Sequence, residues 1–254
     1  VSNTLDPNTT LLVLGTSRGG TTLITAALGA HPAVAMLDEE FGDAVFHVTG
    51  GKFRGNKLCV PNQLEWDKHH QWWHELFAFS GYLRKSMLYN LMPCGSLSMT
   101  DYLKRSPVQP ICILRNPDSV ISSIVKRERR KTKVAAYRWS RCVNFFQQLL
   151  DEHPKQENLK KPIIINFEKL VASPEATLKK LCLEIGLEYH PQMLEAPERN
   201  TRYGGKTFDA SKAADSISDK YASFLSDKTL TLYESLIAAS IPAETDNNPV
   251  KACP

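Results

Sequence analysis

The chain has no CxxC pair and no zinc-like spacing among its six cysteines, which excludes a cysteine-held zinc module. No apolar run approaches the roughly 18 residues that a bilayer-spanning helix needs, so no membrane span is expected. Charge of one sign is also scarce. Against 31 Lys and Arg stand 27 Asp and Glu, and the net charge of +4 over 254 residues is too mild to mark a nucleic-acid partner, though it suits a small anionic ligand. There is no internal repeat and no linker that would mark a domain boundary. A hydrophobic content of 42% with 23% charged residues excludes disorder.

What is present is a series of short apolar runs alternating with helical stretches. Leu11 to Gly15, Gln109 to Leu114 and Pro162 to Phe167 read as buried strands. Helices are expected from Thr21 to Ala30, from about Asp118, from Lys133 to Leu150, from Pro174 to just before Gly186, and from Ser218 to Ser240. Ser173 is placed as the cap of the fourth of these, with Pro174 at its first position. Residues 50–61, Gly-rich and basic, read as a loop. The alternation predicts one α/β domain over residues 1–254, a central parallel sheet flanked by helices, with 1–10 and 241–254 as loose ends. Cys112 and Cys182, in apolar surroundings, read as small buried hydrophobes. A reduced, cytoplasmic protein is the simpler expectation.

The strand ending at Gly15 runs into Thr16-Ser17-Arg18-Gly19-Gly20-Thr21-Thr22 and then a helix. That geometry points backbone N–H groups and a helix N-terminus at an anion. Gly19 and Gly20 allow close approach, Thr21 and Thr22 bring hydroxyls to the helix start, and Arg18 adds a cation. No Lys follows Gly20, so the loop is P-loop-like without being a Walker A sequence. A Gly-rich turn with no ligand is the plainer alternative. The second strand ends at Arg115, where a nucleotide triphosphatase often carries an Asp for magnesium. Ser123 follows eight residues later, about two helical turns on. An Arg at a strand end and a Ser on the next helix form a second phosphate site that needs no metal, so the pair of loops points to a nucleotide with phosphates at two positions. Between Lys126 and Lys133 six cations stand against the single Glu128. This run is either a solvated helix face or a surface for an acidic ligand.

Thr16-Ser17-Arg18-Gly19-Gly20-Thr21-Thr22-Leu23 resembles the 5′-phosphosulfate loop of sulfotransferases that use 3′-phosphoadenosine 5′-phosphosulfate (PAPS). Arg115-Asn116-Pro117 with Ser123 resembles the 3′-phosphate motif of that family, although Asp118 comes one place earlier than its usual acidic residue. Ile163 to Gly186 is similar to the family's third strand and following helix, and Arg202-Tyr203-Gly204-Gly205-Lys206 loosely to its late Gly-rich loop. The resemblance implies transfer of a sulfuryl group from PAPS to an acceptor hydroxyl, leaving PAP, with no metal. Arg18, the loop amides and the two Thr hydroxyls would stabilise the departing phosphate, and Tyr203, Gly204 and Gly205 would cover the cofactor. A base must take the acceptor's proton. The cytosolic members use a His in a Lys-Thr-His stretch, but the stretch compared here, Lys85-Ser86-Met87, has none. Asp38-Glu39-Glu40 follows His31-Pro32 at the spacing at which glycan and tyrosylprotein types carry a catalytic Glu. Glu40 matches the glycan spacing and Glu39 the tyrosyl spacing, with Glu40 preferred. Lys85 is either close to the transferred group, as a Lys is in the glycan type, or a surface residue.

The expected acceptor is a glycan or small-molecule alcohol, with a peptide Tyr also open. Two rivals remain: a nucleotide-dependent phosphotransferase with Glu168 as magnesium ligand, and a non-catalytic PAP-binding module. His69, His70 and His74 sit in a Trp-rich segment, but no third ligand has convincing spacing for zinc. Trp66, Trp72, Trp73 and Phe77 are read as core-packing residues, with stacking on an acceptor as the alternative.

Overall fold

The computed structural model of the chain describes residues 5–67, 96–199, 208–213 and 219–241. Its centre is one sheet of five strands, β1 (Thr10–Gly15), β2 (Val34–Asp38), β3 (Phe53–Cys59), β4 (Val108–Leu114) and β5 (Ile163–Asn166), in the spatial order β2-β3-β1-β4-β5. Every pairing is parallel, so each connection crosses a face of the sheet and both faces must be covered. Eight α-helices do this among the described residues: α1 (Thr21–Gly29), α2 (Met99–Arg105), α3 (Pro117–Glu128), α4 (Thr132–Glu152), α5 (Phe167–Ala172), α6 (Pro174–Ile185), α7 (Gln192–Arg199) and α8 (Asp227–Ala238).

The pleat divides the apolar strand residues between two cores. Leu12, Leu14, Cys112, Leu114 and Ile164 face α2, α3, α4 and α8. Leu11, Val13, Ile111, Ile113, Ile163 and Ile165 face α1, α5, α6 and α7. Strands buried on both faces read as unbroken apolar runs, which is why β1, β4 and β5 are legible. The strand order reverses direction between β1 and β4, and the loops leaving their carboxyl ends splay apart there. In an open α/β sheet this crevice is where ligands bind.

The stretch expected as a Gly-rich basic loop at 50–61 instead contains β3, paired on both sides with β1 and β2. Its polar residues each have a partner. Arg54 donates to Thr10 Oγ1, Phe46 O and Asn8 O, and Lys57 is ion-paired to Asp38. Gly55 is required by proximity: a Cβ there would lie 2.4 Å from Met36 Sδ and 2.8 Å from Leu11 O. The edge strand β2 was likewise not anticipated. The final stretch is not one helix from 218. A 3₁₀ segment at Asp219–Phe224 is followed by α8, which starts anew at Ser226, whose side chain accepts from Thr229 N. Ser173 occupies the position before α6 without a side-chain capping bond; its carbonyl takes the Thr177 amide and hydroxyl. Residues 5–10, expected within a loose end, lead into β1 with Leu5 buried and its amide on Gly186 O at 3.1 Å. Residues 242–254 lie outside the described residues. No helix among the described residues is long and apolar enough to cross a membrane.

Candidate active site

The turn between β1 and α1 is held tightly by its own backbone. Gly19 N donates to Thr16 O at 2.8 Å, and Arg18 and Gly20 both take positive φ, 68° and 100°. For Arg18 this is a sparsely populated conformation, of the kind that persists where the surroundings impose it. At Gly20 glycine is needed twice over, since a Cβ would also sit 2.3 Å from Phe167 Cδ2. The result delivers the first amides of α1 to the crevice. That first turn carries no acidic residue to neutralise them, so the positive end of the helix stays open to an anion. Thr21 is buried beside Cys59, while Thr22 and Leu23 are half-buried.

The loop after β4 meets the first loop directly. Arg115 Nη1 donates to Arg18 O at 3.2 Å, and Arg18 Nε reaches Ser123 Oγ on α3 at 3.5 Å. The Arg115 guanidinium lies over the Phe167 ring, 4.3 Å from its centroid, and Trp139 Nε1 holds the Arg115 carbonyl at 3.1 Å. Burial, with Arg127 and Arg18 nearby, lowers the pKa of Arg115, while Glu168 opposes the shift. Arg115 Nε is buried without a hydrogen-bond partner among the described residues. Crowded cations and an unspent buried donor are costly in an empty protein and favourable beside an anion. Arg18, Arg115 and Ser123, picked out from two distant stretches of sequence, therefore form one cluster.

Glu168, the magnesium ligand of the rival reading, is buried at 2% exposure and accepts the Asn116 amide at 3.0 Å. Its carboxylate secures the β4 loop. Asn116 in turn caps α3, accepting from Asp118 N and Ser119 N.

The Asp38-Glu39-Glu40 turn leaves the end of β2. Glu39 has φ 62°, and its carboxylate meets Lys57 Nζ at 2.7 Å. Lys57 also pairs with Asp38 at 2.7 Å, and its side chain is 1% exposed. Burial would lower the Lys57 pKa, but Cys59 and the two carboxylates beside it raise it overall. Cys59 Sγ lies 4.0 Å from Glu39 Oε1 and beside Thr21, so this ion pair reaches the start of α1. Glu40 is held differently. Asn56 Oδ1 accepts its N–H at 3.2 Å, Asn56 Nδ2 donates to its carbonyl at 2.7 Å, and its own Oε1 accepts from Gly42 N at 3.0 Å.

The basic run at 126–133 is only partly a helix face: Lys126 and Arg127 end α3, residues 129–131 form the turn, with Arg129 at φ 53°, and Lys133 lies in the first turn of α4. Within it Glu128 faces inward. It accepts the Ser17 hydroxyl and the buried Arg138 guanidinium, the latter at 2.9 Å. Lys85, Tyr203, Gly204, Gly205, the three histidines His69, His70 and His74, and Trp72, Trp73 and Phe77 lie outside the described residues. Trp66 is half-buried and packs on Phe145, with ring centroids 6.3 Å apart. Among the described residues no group of three His, Cys, Asp or Glu side chains could hold a metal ion.

Sequence reasoning missed Lys57, Asn56, Glu128 and Phe167. Three consecutive acidic residues at 38–40 imply a nearby cation, but only the β2–β3 register, with Asp38 opposite Lys57, identifies it.

Residues 109–191, from β4 to just beyond α6, match the profile described as Sulfotransferase family. That stretch contains Arg115, Ser123 and Glu168 but not the first loop. No curated protein matches the chain significantly. Among solved structures, the sulfotransferase domain from the Synechococcus PCC 7002 olefin synthase aligns over 94% of this chain and 97% of its own, with a TM-score of 0.56 and 15% identity. The sulfotransferase domain from the curacin biosynthetic pathway aligns over 89% and 96%, with a TM-score of 0.51 and 17% identity. The single α/β domain with its five-stranded parallel sheet thus has the fold of sulfotransferase domains.

Proposed function

We propose that this chain is a sulfotransferase that moves a sulfuryl group from PAPS to an acceptor hydroxyl. The observation that carries the reading is the junction of the two loops, where Arg115 bonds the Arg18 carbonyl and keeps a buried Nε with no partner among the described residues. A nucleotide with phosphates at two separate positions matches that pair of cationic loops. Arg18, the amides after Gly20 and the hydroxyls of Thr21 and Thr22 would hold the 5′-phosphosulfate, and Arg115 and Ser123 the 3′-phosphate. In the reaction an S–O bond to the acceptor forms as the S–O bond to the 5′-phosphate breaks. Arg18 and the α1 amides offset the charge left on PAP.

The acceptor's proton goes to Glu40. Its carboxylate makes one hydrogen bond, to Gly42 N, among the described residues, whereas that of Glu39 is committed to Lys57. A glycan or small-molecule alcohol remains the first acceptor class to screen, with peptide Tyr second.

The test is thermal stability with PAP, with ADP, and with ATP plus magnesium. At 100 times its dissociation constant a ligand adds about 2.7 kcal/mol, a shift of roughly 5–10 °C for a chain of this size. Stabilisation by PAP without magnesium, much larger than by ADP, is the expected result. If ATP-magnesium stabilises and PAP does no better than ADP, the phosphotransferase reading replaces this one. Glu40→Gln then separates an enzyme from a binding module, with transfer lost while PAP affinity stays.

A further inference from the structure

Asn56 has no solvent exposure and lies mid-strand in β3, on the face that packs with Leu12, Leu14 and Leu58. A side-chain amide in such a place is tolerated only if its polar atoms are paired. Each is. Oδ1 accepts the Glu40 amide at 3.2 Å, while Nδ2 donates to the Glu40 carbonyl at 2.7 Å and to Tyr102 Oη at 3.1 Å. The reverse orientation of the amide would set its NH₂ against the Glu40 N–H, so the network fixes which end is which.

The position of this grip is informative. The β2–β3 ladder ends with Asp38 opposite Lys57, followed by the bond from Glu39 N to Lys57 O. The chain then turns through the positive φ of Glu39. Beyond that point no strand backbone among the described residues holds Glu40, and the Asn56 side chain supplies the donor and acceptor that a neighbouring strand would offer. Tyr102, fully buried on α2, anchors the amide from behind. Lys57 holds the Asp38 and Glu39 carboxylates from the next position of the same strand.

We infer that Asn56 is a positioning residue for sulfuryl transfer: its side-chain amide fixes the Glu40 backbone so that the Glu40 carboxylate is presented to the acceptor hydroxyl. The inference rests on the reading of Glu40 as the base.

The experiment is a double-mutant cycle of Asn56→Ala and Glu40→Gln, with kcat, KM for PAPS, PAP affinity and hydrogen exchange at residues 39–42 measured in each variant. Asn56→Ala is expected to lower kcat by about 10- to 100-fold, as a misplaced catalytic group does, with PAP affinity unchanged and faster exchange of the Glu40 amide. In the Glu40→Gln background the same substitution adds almost nothing, because both changes act on one group. Tyr102→Phe removes only the anchor behind Asn56. It provides a milder second variant should Asn56→Ala fold poorly, and it is expected to lower kcat less and only when Glu40 is present. A kcat unchanged in Asn56→Ala while Glu40→Gln is inactive overturns this inference alone, as do losses that multiply independently. Full turnover in Glu40→Gln, or a wild-type chain that transfers nothing from PAPS, overturns the reading beneath it.

Discussion

Arg115 combines three contacts that fix the proposed cofactor site: its guanidinium over Phe167, its Nη1 on the Arg18 carbonyl and its carbonyl on Trp139. A Lys would keep the backbone contact with Trp139 but not the stacking on Phe167, because it lacks the planar face, and it has no further forked donors to offer an anion. Arg115→Ala is expected to weaken PAP by about 10- to 100-fold, the loss of a charged hydrogen bond worth roughly 1.5–3 kcal/mol. ADP, lacking a 3′-phosphate, should weaken far less. Calorimetric titration with both ligands makes the comparison, and equal losses would remove the 3′-phosphate from this residue. Arg18, Arg115 and Ser123 were legible in sequence because each sits just after an apolar strand or on the helix that follows one. Lys57 and Asn56 were not, since single polar residues inside a short strand look the same as a loop until the pairing is known.

At the scale of elements, strands buried on both faces announced themselves, and those with polar partners did not. β1, β4 and β5 are apolar throughout most of their length. β3 carries Arg54, Asn56 and Lys57, whose hydrogen bonds and ion pairs exist only once β2, the 3₁₀ turn at Ala44–His47 and α2 are in place. The end of the chain shows the same limit. Helical spacing predicts a continuous helix from 218, whereas α8 has its own start at Ser226, whose side chain bonds the amide and hydroxyl of Thr229. Ser226→Ala is therefore expected to cost about 1 kcal/mol of stability, as the loss of an N-cap does, lowering Tm by roughly 2–4 °C. PAP binding should not change, because the lost bonds lie at the start of α8, about two turns before Tyr233, the residue that packs on Trp139. A Tm equal to wild type would mean that α8 begins elsewhere.

Across the whole molecule, four cysteines among the described residues are free and buried, three of them within the two cores. Burial pushes the Cys59 thiol up to about 11 and those of Cys142 and Cys182 up to about 12, with Cys112 also raised. Between pH 9 and these values the unfolded chain loses thiol protons that the folded chain keeps, so the unfolded state binds fewer protons and stability falls as pH rises. Urea titrations should therefore show a progressive decline from pH 9 upward, and Cys182→Ser should flatten part of it; a stability constant from pH 8 to pH 11 would mean that these thiols ionise in place. The sequence alone was enough for the α/β class, the parallel sheet and the two strand-end loops that carry Arg18 and Arg115. Those features are written in local patterns, apolar runs and glycines at strand ends, that act over a few residues. The tertiary structure decided what comes together: Arg115 on Arg18, Lys57 on Glu39, Asn56 on Glu40. The partners in each pair lie 97, 18 and 16 residues apart, and only the strand order and register bring them within hydrogen-bonding reach.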